Sequence, residues 1–271
     1  MSTDRSLREL MSLEGRVALV TGGAGHIGRA IGHALAELGA NVAVVDISAS
    51  GAAEAAGGLS QVWPGAAAAA FTCDLEQSEQ VRDLPRRVRE RFGRIDIIVN
   101  CAAFVGTSGL EGWAVPFEDQ SEATWRRALE VNLTAPFVLV QAVAGDLRAS
   151  GHGSVINISS IYGLLGPDWR LYEGTSLGNP AAYAASKGGL IQATRWLSTT
   201  LAPDVRVNAI APGGVFRGTS EPFLSRYIGR TPLGRMAREE DFKGAVAYLA
   251  SDLSAYVTGQ CLAVDGGWTV W

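Results

Sequence analysis

Residues 16–28, RVALVTGGAGHIG, run from a short apolar, β-branched stretch through a glycine-rich turn into apolar residues at helical spacing. A strand, a glycine turn and a helix in this order indicate a dinucleotide-binding fold, because Cβ atoms would keep a pyrophosphate away from the backbone. The N–H groups at the start of the helix would then meet the negative charge. The candidate cofactor-binding residues of this turn are Gly22, Gly25, His26, Ile27 and Gly28.

Strand and helix patterns alternate along the rest of the chain. Strands are predicted at residues 16–21, 41–47, 66–73, 95–100, 154–159, 205–210 and 261–265. Helices are predicted at residues 27–38, 49–59, 82–94, 122–150, 181–201 and 238–250. Strands that are apolar on both faces and separated by helices predict an α/β fold with a doubly wound, Rossmann-like parallel sheet of seven strands. We expect a single domain over residues 1–271, with residues 1–14 as an N-terminal extension.

Composition restricts the class of protein. The net charge of −4 predicts no nucleic-acid partner, and the basic run at residues 82–94 favours a solvated amphipathic helix over an anion-docking surface. Three widely spaced cysteines without a CxxC pair argue against a disulfide framework and against a metal site. Residues 1–14 lack an apolar core, and no long uncharged apolar stretch follows, so we expect a cytoplasmic protein with no membrane partner.

Two acidic residues follow predicted strands. Asp46 ends the second strand, where a carboxylate can accept hydrogen bonds from the adenosine ribose, and no Arg or Lys adjoins it to hold a 2′-phosphate. The sequence therefore favours NAD over NADP as cofactor, with a simple helix cap as the alternative role of Asp46. Asp74 and Leu75, at the end of the third strand, are further candidate cofactor-binding residues. Asp74 could hydrogen-bond the adenine or cap the next helix.

A tyrosine and a lysine four residues apart, Tyr183 and Lys187, share one face of a predicted helix. A nearby ammonium group and a positive nicotinamide ring would favour phenolate and lower the tyrosine pKa. Tyr183 could then take a proton from an alcohol while hydride leaves the neighbouring carbon. Ser160, after the fifth strand, could stabilise charge on the same oxygen.

These motifs together resemble the short, single-domain type of the short-chain dehydrogenase/reductase family. The resemblance extends over nearly the whole chain, through the glycine turn, the NCAA turn at residues 100–103, the NISS segment at 157–160, YAASK at 183–187, and VDGG at 264–267. It implies that Ser160, rather than Ser159, is catalytic, that Lys187 also binds the nicotinamide ribose, and that Asn132 positions a water in a proton relay. The further cofactor-binding residues it implies are Asn100, Ala102, Tyr183, Lys187, Pro212, Gly213 and Val215.

The chain departs from the family pattern in two places. His26 stands where single-domain members usually have a glycine, so it is expected to cap the helix or lean over the phosphates. The stretch from Ser160 to Tyr183 is longer than usual, and residues 166–180 form an aromatic and charged insertion. This insertion is expected either to border a polar substrate or to form a surface or subunit contact.

The C-terminal part suggests a lid and an interface. Residues 214–235 resemble the family's mobile lid, and Arg217, Arg226, Arg230 and Arg235 could bind an anionic group or pair with surface acids. Trp268 and Trp271 are expected at a subunit interface of a homotetramer or homodimer, as the resemblance implies.

The sequence thus predicts an NAD(H)-dependent oxidoreductase for a secondary alcohol or ketone of a small polar substrate, such as a sugar or polyol. Three alternatives remain open. These are a 3-oxoacyl or steroid-like ketone reductase, a sugar-nucleotide epimerase or dehydratase suggested by the glycine spacing, and a catalytically silent dinucleotide-binding regulator.

Overall fold

The computed structural model describes residues 4–271, and its centre is one parallel sheet of seven strands. The strands are β1 (Val17–Thr21), β2 (Asn41–Asp46), β3 (Ala68–Thr72), β4 (Ile97–Asn100), β5 (Gly153–Ile158), β6 (Val205–Pro212) and β7 (Cys261–Val264). Their order in the sheet is β3-β2-β1-β4-β5-β6-β7, which confirms the predicted doubly wound, Rossmann-like fold. All seven predicted strands are present.

Helices cover both faces of the sheet. They are α1 (Leu7–Met11), α2 (His26–Glu37), α3 (Ala49–Val62), α4 (Ser78–Phe92), α5 (Glu122–Leu129), α6 (Ala135–Ser150), α7 (Ala181–Leu201), α8 (Phe223–Arg230) and α9 (Lys243–Ala250). Helices α2, α3 and α9 pack their apolar residues on one face. Helices α4, α6 and α7 do so on the other. The central strands are buried on both sides, as their continuous Val, Ile and Ala content predicts.

Helices α5 and α6 form one continuous helical stretch, joined by a π-helical turn at Glu130–Thr134. By length and composition alone, this stretch, Glu122–Ser150, is long and apolar enough to cross a membrane. Its C-terminal part packs against α4 and α7 beside the sheet, and core helices of soluble proteins pass the same test. The absence of a membrane partner stays a prediction.

Several helices differ from their predicted bounds. Helix α4 begins at Ser78, four residues before the basic run, and ends where Gly93 adopts a φ of 82°. Its buried face carries Val81, Leu84 and Val88, as expected of an amphipathic helix. Helix α9 begins only at Lys243, because residues 239–242 form a 3-10 turn. Helices α1 and α8 were missed, α8 because its apolar face lies within a segment rich in Gly, Pro and Arg.

Gly57 occupies an exposed position inside α3, and a Cβ added there would meet no atom within 4 Å. We expect Gly57→Ala to raise the free energy of unfolding by about 0.5–1 kcal/mol, since alanine loses less backbone entropy on entering a helix. Urea unfolding followed by circular dichroism measures the change. Gly151→Ala is the matched control and should have the opposite effect. Gly151 has a φ of 74°, which alanine adopts only with strain, so this substitution should lower the free energy of unfolding. Equal shifts in the two variants would contradict the explanation.

Candidate active site

The glycine turn between β1 and α2 is closed tightly by its own backbone. Gly22 has a φ of 64°, and a Cβ there would lie 2.7 Å from Cα of Ala102. A Cβ on Gly28 would lie 2.1 Å from the carbonyl oxygen of Gly22. Gly25 is the N-cap of α2 and has no side chain to fill the space above it. This bare turn at a helix N-terminus fits a pyrophosphate and hence the dinucleotide that the fold implies.

Asp46 lies beside this turn. Its Oδ2 accepts a hydrogen bond from the backbone N–H of Ala24 at 3.1 Å, and Oδ1 accepts one from Ser48 at 3.1 Å. The N-cap of α3 is Ser48, whose Oγ accepts from Gly51, so the alternative of Asp46 as the helix cap is wrong. The carboxylate is therefore held at the end of β2, where the ribose of a dinucleotide would lie.

Asp74 shapes the connection from β3 to α4. Its Oδ1 accepts a hydrogen bond from the backbone N–H of Glu76 at 3.0 Å, while the N-cap of α4 is Gln77. Asp74 therefore does not cap the helix, and its contact with adenine stays a prediction. The Leu75 side chain is partly buried against the core, and its contact with a cofactor stays a prediction.

A buried polar chain fixes the carboxyl ends of β4 and β5. Nδ2 of Asn100 donates to Oδ1 of Asn157 at 2.8 Å, and Nδ2 of Asn157 donates to Oγ1 of Thr194 in α7 at 2.8 Å. Thr21 Oγ1 accepts from the backbone N–H groups of Cys101 and Ala102 at 3.1 and 3.3 Å. The positioning roles of Thr21, Asn157 and Thr194 were not predicted, although Thr21 and Asn157 stand inside the recognised motifs.

The two serines after β5 have different surroundings. Ser159 Oγ donates to the carbonyl oxygen of Lys187 at 2.8 Å and so ties β5 to α7. Ser160 Oγ accepts from the backbone N–H of Tyr162 at 3.1 Å, and the Ser160 hydroxyl acts to lower the pKa of Tyr183. Of the two serines, only Ser160 influences the candidate tyrosine in this way.

Tyr183 and Lys187 lie one turn apart in α7, as predicted. Lys187 Nζ is buried, donates to the carbonyl oxygen of Ile158 at 2.7 Å, and lies 5.9 Å from the centroid of the Tyr183 ring. Burial lowers the pKa of Lys187 to about 8. Burial also raises the pKa of Tyr183, and the contact with Ser160 acts in the opposite direction. In the chain without its cofactor, burial is thus the largest influence on the pKa of Tyr183. The lowering of this pKa by Lys187 together with a bound nicotinamide stays a prediction.

Asn132 lies in the π-helical turn and is fully buried. Its side-chain amide accepts from the backbone N–H of Phe104 at 2.8 Å, donates to the Phe104 carbonyl at 3.0 Å, and donates to Ser186 Oγ at 3.1 Å. The amide thus holds the loop after β4 against α7. The role of Asn132 in positioning a relay water stays a prediction.

The segment after β6 crosses the same edge of the sheet. Pro212 ends the strand, and Gly213 donates its N–H to the carbonyl oxygen of Val264 at 3.0 Å. Val215 forms a bridge to Ala237. The contacts of these three residues with a cofactor stay predictions.

His26 begins α2 and is exposed. Its Nδ1 lies 3.9 Å from Oε1 of Glu239, which also accepts a hydrogen bond from Arg217 at 3.3 Å. Because the N-cap of α2 is Gly25, the expectation that His26 caps this helix is wrong, and its place over the phosphates stays a prediction. The other three arginines of the lid bond to Asp168, to Asp241 and to carbonyl oxygens of the insertion, which agrees with the alternative of pairing within the chain.

The insertion after Ser160 packs onto the lid helix and the C-terminus. The ring centroids of Trp169 and Tyr172 are 5.5 Å apart with the rings tilted, and Tyr172 meets Phe223 of α8 edge-on at 5.2 Å. Trp268 is 1% exposed and stacks on Tyr227, so the expectation that it lies at a subunit interface is wrong. Trp271 is exposed, and its role at an interface stays a prediction. Among residues 4–271, no group of three His, Cys, Asp or Glu residues could hold a metal.

Comparison with known proteins identifies the family. A family model described as enoyl-(acyl carrier protein) reductase matches residues 22–269. Cis-4-hydroxycyclohexanecarboxylate dehydrogenase of Sinomonas cyclohexanicum is 34% identical over 94% of this chain and 96% of its own length. A 3-oxoacyl-acyl-carrier-protein reductase of Thermotoga maritima is 32% identical over 95% of this chain and 99% of its own length.

A solved structure agrees with this assignment. The gluconate 5-dehydrogenase of Burkholderia cenocepacia, determined with NADP and tartrate, has a TM-score of 0.86 and 31% identity, covering 98% of this chain and 100% of that one. The chain therefore belongs to the short-chain dehydrogenase/reductase family, as the resemblance predicted. It is an oxidoreductase of the type that acts on CH–OH groups, and the family uses NAD or NADP.

Because the backbone of the glycine turn is packed so tightly, one added methyl group is predicted to have a large effect on cofactor binding. We expect Gly28→Ala to weaken NADH binding at least about tenfold, because the new Cβ would meet the Gly22 carbonyl and open the turn. Fluorescence titration with NADH measures the change. Gly145→Ala is the control, since a Cβ at that exposed position of α6 meets nothing. Unchanged NADH affinity in Gly28→Ala would exclude this turn as the cofactor site.

Proposed function

We propose that this chain is an NAD(H)-dependent dehydrogenase that interconverts a secondary alcohol and a ketone in a small, hydroxylated substrate such as a sugar or polyol. The observation that carries the proposal is the convergence of Ser160, Tyr183 and Lys187 at the carboxyl end of β5. Three side chains of these types around one space fit proton transfer to and from a substrate oxygen.

Each residue has a distinct part. Tyr183 exchanges the proton of the substrate hydroxyl, and Ser160 donates a hydrogen bond to the same oxygen as charge develops on it. Lys187 holds its ammonium group beside the tyrosine and would bind the nicotinamide ribose. Asn132, whose side-chain amide is bonded to the backbone of Phe104, would position a relay water, as the family resemblance implies. When bound, the nicotinamide supplies the acceptor or donor of the hydride.

Asp46 supports NAD rather than NADP. Its carboxylate stands beside the glycine turn, where it would accept from the ribose hydroxyls and repel a 2′-phosphate. The polar and aromatic insertion supports a hydroxylated substrate, as does the similarity to a gluconate 5-dehydrogenase. The similarity to a 3-oxoacyl-acyl-carrier-protein reductase favours a second candidate, reduction of a 3-oxoacyl group.

A panel assay tests the proposal. Purified protein is incubated with NAD⁺ or NADP⁺ and with sugars, sugar acids, polyols and apolar alcohols, and in reverse with 3-oxoacyl thioesters. Formation of NADH with a polyol, sugar or sugar acid is the expected result. Turnover of 3-oxoacyl thioesters alone would replace the proposal with the second candidate.

The raised pKa of Tyr183 has a consequence for the pH profile. Alcohol oxidation needs the phenolate form, so kcat/KM for oxidation is expected to increase from neutral to mildly alkaline pH. Ketone reduction needs the protonated form and should decrease or stay level over the same range. Initial rates in both directions, measured in buffers of constant ionic strength, test this. Oxidation that falls with rising pH would contradict the assignment of Tyr183 as the base.

A further inference from the structure

Two tyrosine hydroxyls meet beside the candidate catalytic residues. The hydroxyl oxygens of Tyr162 and Tyr172 are 2.6 Å apart. Tyr162 follows Ser160 by two residues, and its backbone N–H donates to Ser160 Oγ. Tyr172 belongs to the insertion and is held from the other side by Trp169 and Phe223. The insertion thus brings a polar group to the end of β5.

Asn179 completes this cluster. Asn179 directly precedes Pro180, the N-cap of α7. The Pro180 carbonyl accepts a hydrogen bond from the backbone N–H of Tyr183, so Asn179 lies one helical turn before Tyr183. Asn179 is 6% exposed, and its Oδ1 has no hydrogen-bond partner in the described part of the chain. Its side chain acts to lower the pKa of both tyrosines and so lies near their hydroxyl groups. A buried acceptor without a partner is unfavourable, so such an atom in a folded protein calls for an explanation, and a bound group is one.

The geometry points to a hydroxyl subsite formed by Asn179 and the Tyr162–Tyr172 pair, which takes a second hydroxyl group of the substrate, next to the carbinol that reacts at Tyr183. This inference rests on the proposed function. A substrate hydroxyl suits the site because it can donate to Oδ1 and accept in return. The substrate class is then a vicinal diol, as in a polyol or sugar acid, rather than a simple alcohol.

The charges around the cluster favour a neutral group. Burial raises the pKa of Tyr172, and likewise that of Tyr162, so both stay protonated at neutral pH. Asp168 is paired with Arg170 and Arg230, and Arg226 is bonded to the Glu173 carbonyl at 2.5 Å. The Asp168 carboxylate and the Arg226 guanidinium group are therefore already engaged within the chain. An apolar acyl chain would leave Oδ1 without a partner.

Paired substrates test the subsite. We would measure kcat/KM with NAD⁺ for cyclohexane-1,2-diol and for cyclohexanol, which differ by one hydroxyl group. The wild-type protein is expected to prefer the diol at least about tenfold, and Asn179→Leu to lower this ratio about tenfold. Tyr172→Phe should lower it severalfold, because Asn179 loses one of its neighbours, whereas Tyr256→Phe, at a fully exposed position, should leave it unchanged. An equal loss for both substrates, or an unchanged ratio, would overturn the inference.

Binding separates this inference from the proposed function. Calorimetric titration of Tyr183→Phe in complex with NADH by the same diol and alcohol requires no turnover. If the diol binds more tightly than the alcohol, and this difference disappears when Asn179→Leu is added, the result supports the subsite. It does so even if the wild-type protein shows no turnover and the proposed function fails. Equal binding of both compounds overturns the subsite, even if alcohols are oxidised. If Asn179→Leu fails to fold, the binding of the diol and the alcohol is compared with Tyr172→Phe in its place.

Discussion

Tyr183→Phe is expected to lower kcat/KM for alcohol oxidation by about 10³-fold, the usual contribution of a positioned acid or base. The substitution removes one hydroxyl group and keeps the ring that packs against Trp113 and Ala182. Stability and NADH affinity should therefore change little. Initial rates over a range of substrate concentrations, together with NADH titration, measure both effects.

Tyr256→Phe is the matched control, because the Tyr256 side chain is fully exposed and far from the cofactor turn in sequence. It should retain wild-type rates. A Tyr183→Phe variant that keeps more than about a tenth of the wild-type rate would remove Tyr183 from the role of acid and base. Loss of activity together with loss of NADH binding would assign it to cofactor binding instead.

Asp46→Asn is expected to reduce the preference for NAD⁺ over NADP⁺ at least about a hundredfold. The carboxylate would both accept hydrogen bonds from the ribose and repel a 2′-phosphate, and charged hydrogen bonds contribute about 1.5–3 kcal/mol each. Asparagine keeps the shape and one acceptor oxygen for the backbone N–H of Ala24. The ratio of kcat/KM values for the two cofactors, at one fixed alcohol concentration, is the measurement.

Asp74→Asn controls for a general loss of negative charge near the cofactor. Asp74 ends the next strand, and a contact with adenine would affect both cofactors equally. The ratio should therefore be unchanged in this variant. A wild-type protein that already prefers NADP⁺ would contradict the role given to Asp46, as would an unchanged ratio in Asp46→Asn.

The strands and the glycine turn could be predicted because they depend on local patterns. Apolar runs such as residues 97–100 are buried on both faces of a parallel sheet, and glycines recur where a Cβ would collide with the backbone. Helix α8 could not be predicted in the same way. Its buried residues Phe223 and Tyr227 depend on contacts with Trp268, which is distant in sequence.

The candidate site shows the same division. Tyr183 and Lys187 are neighbours on one helix, so spacing alone predicts their proximity. The pKa of Tyr183 depends on how deeply the surrounding loops bury it, and no local pattern gave its direction. The meeting of Tyr162, Tyr172 and Asn179 likewise requires the three-dimensional path of the insertion.

The most direct test of the central claim follows the hydride itself. A sugar or polyol from the panel, carrying deuterium on the carbon that bears the reacting hydroxyl, is incubated with the wild-type protein and NAD⁺. Mass spectrometry of the cofactor is expected to find reduced nicotinamide that carries one deuterium atom, and none with Tyr183→Phe. Reduced cofactor without deuterium, or no reduced cofactor with any substrate despite saturating NADH binding, would contradict the account.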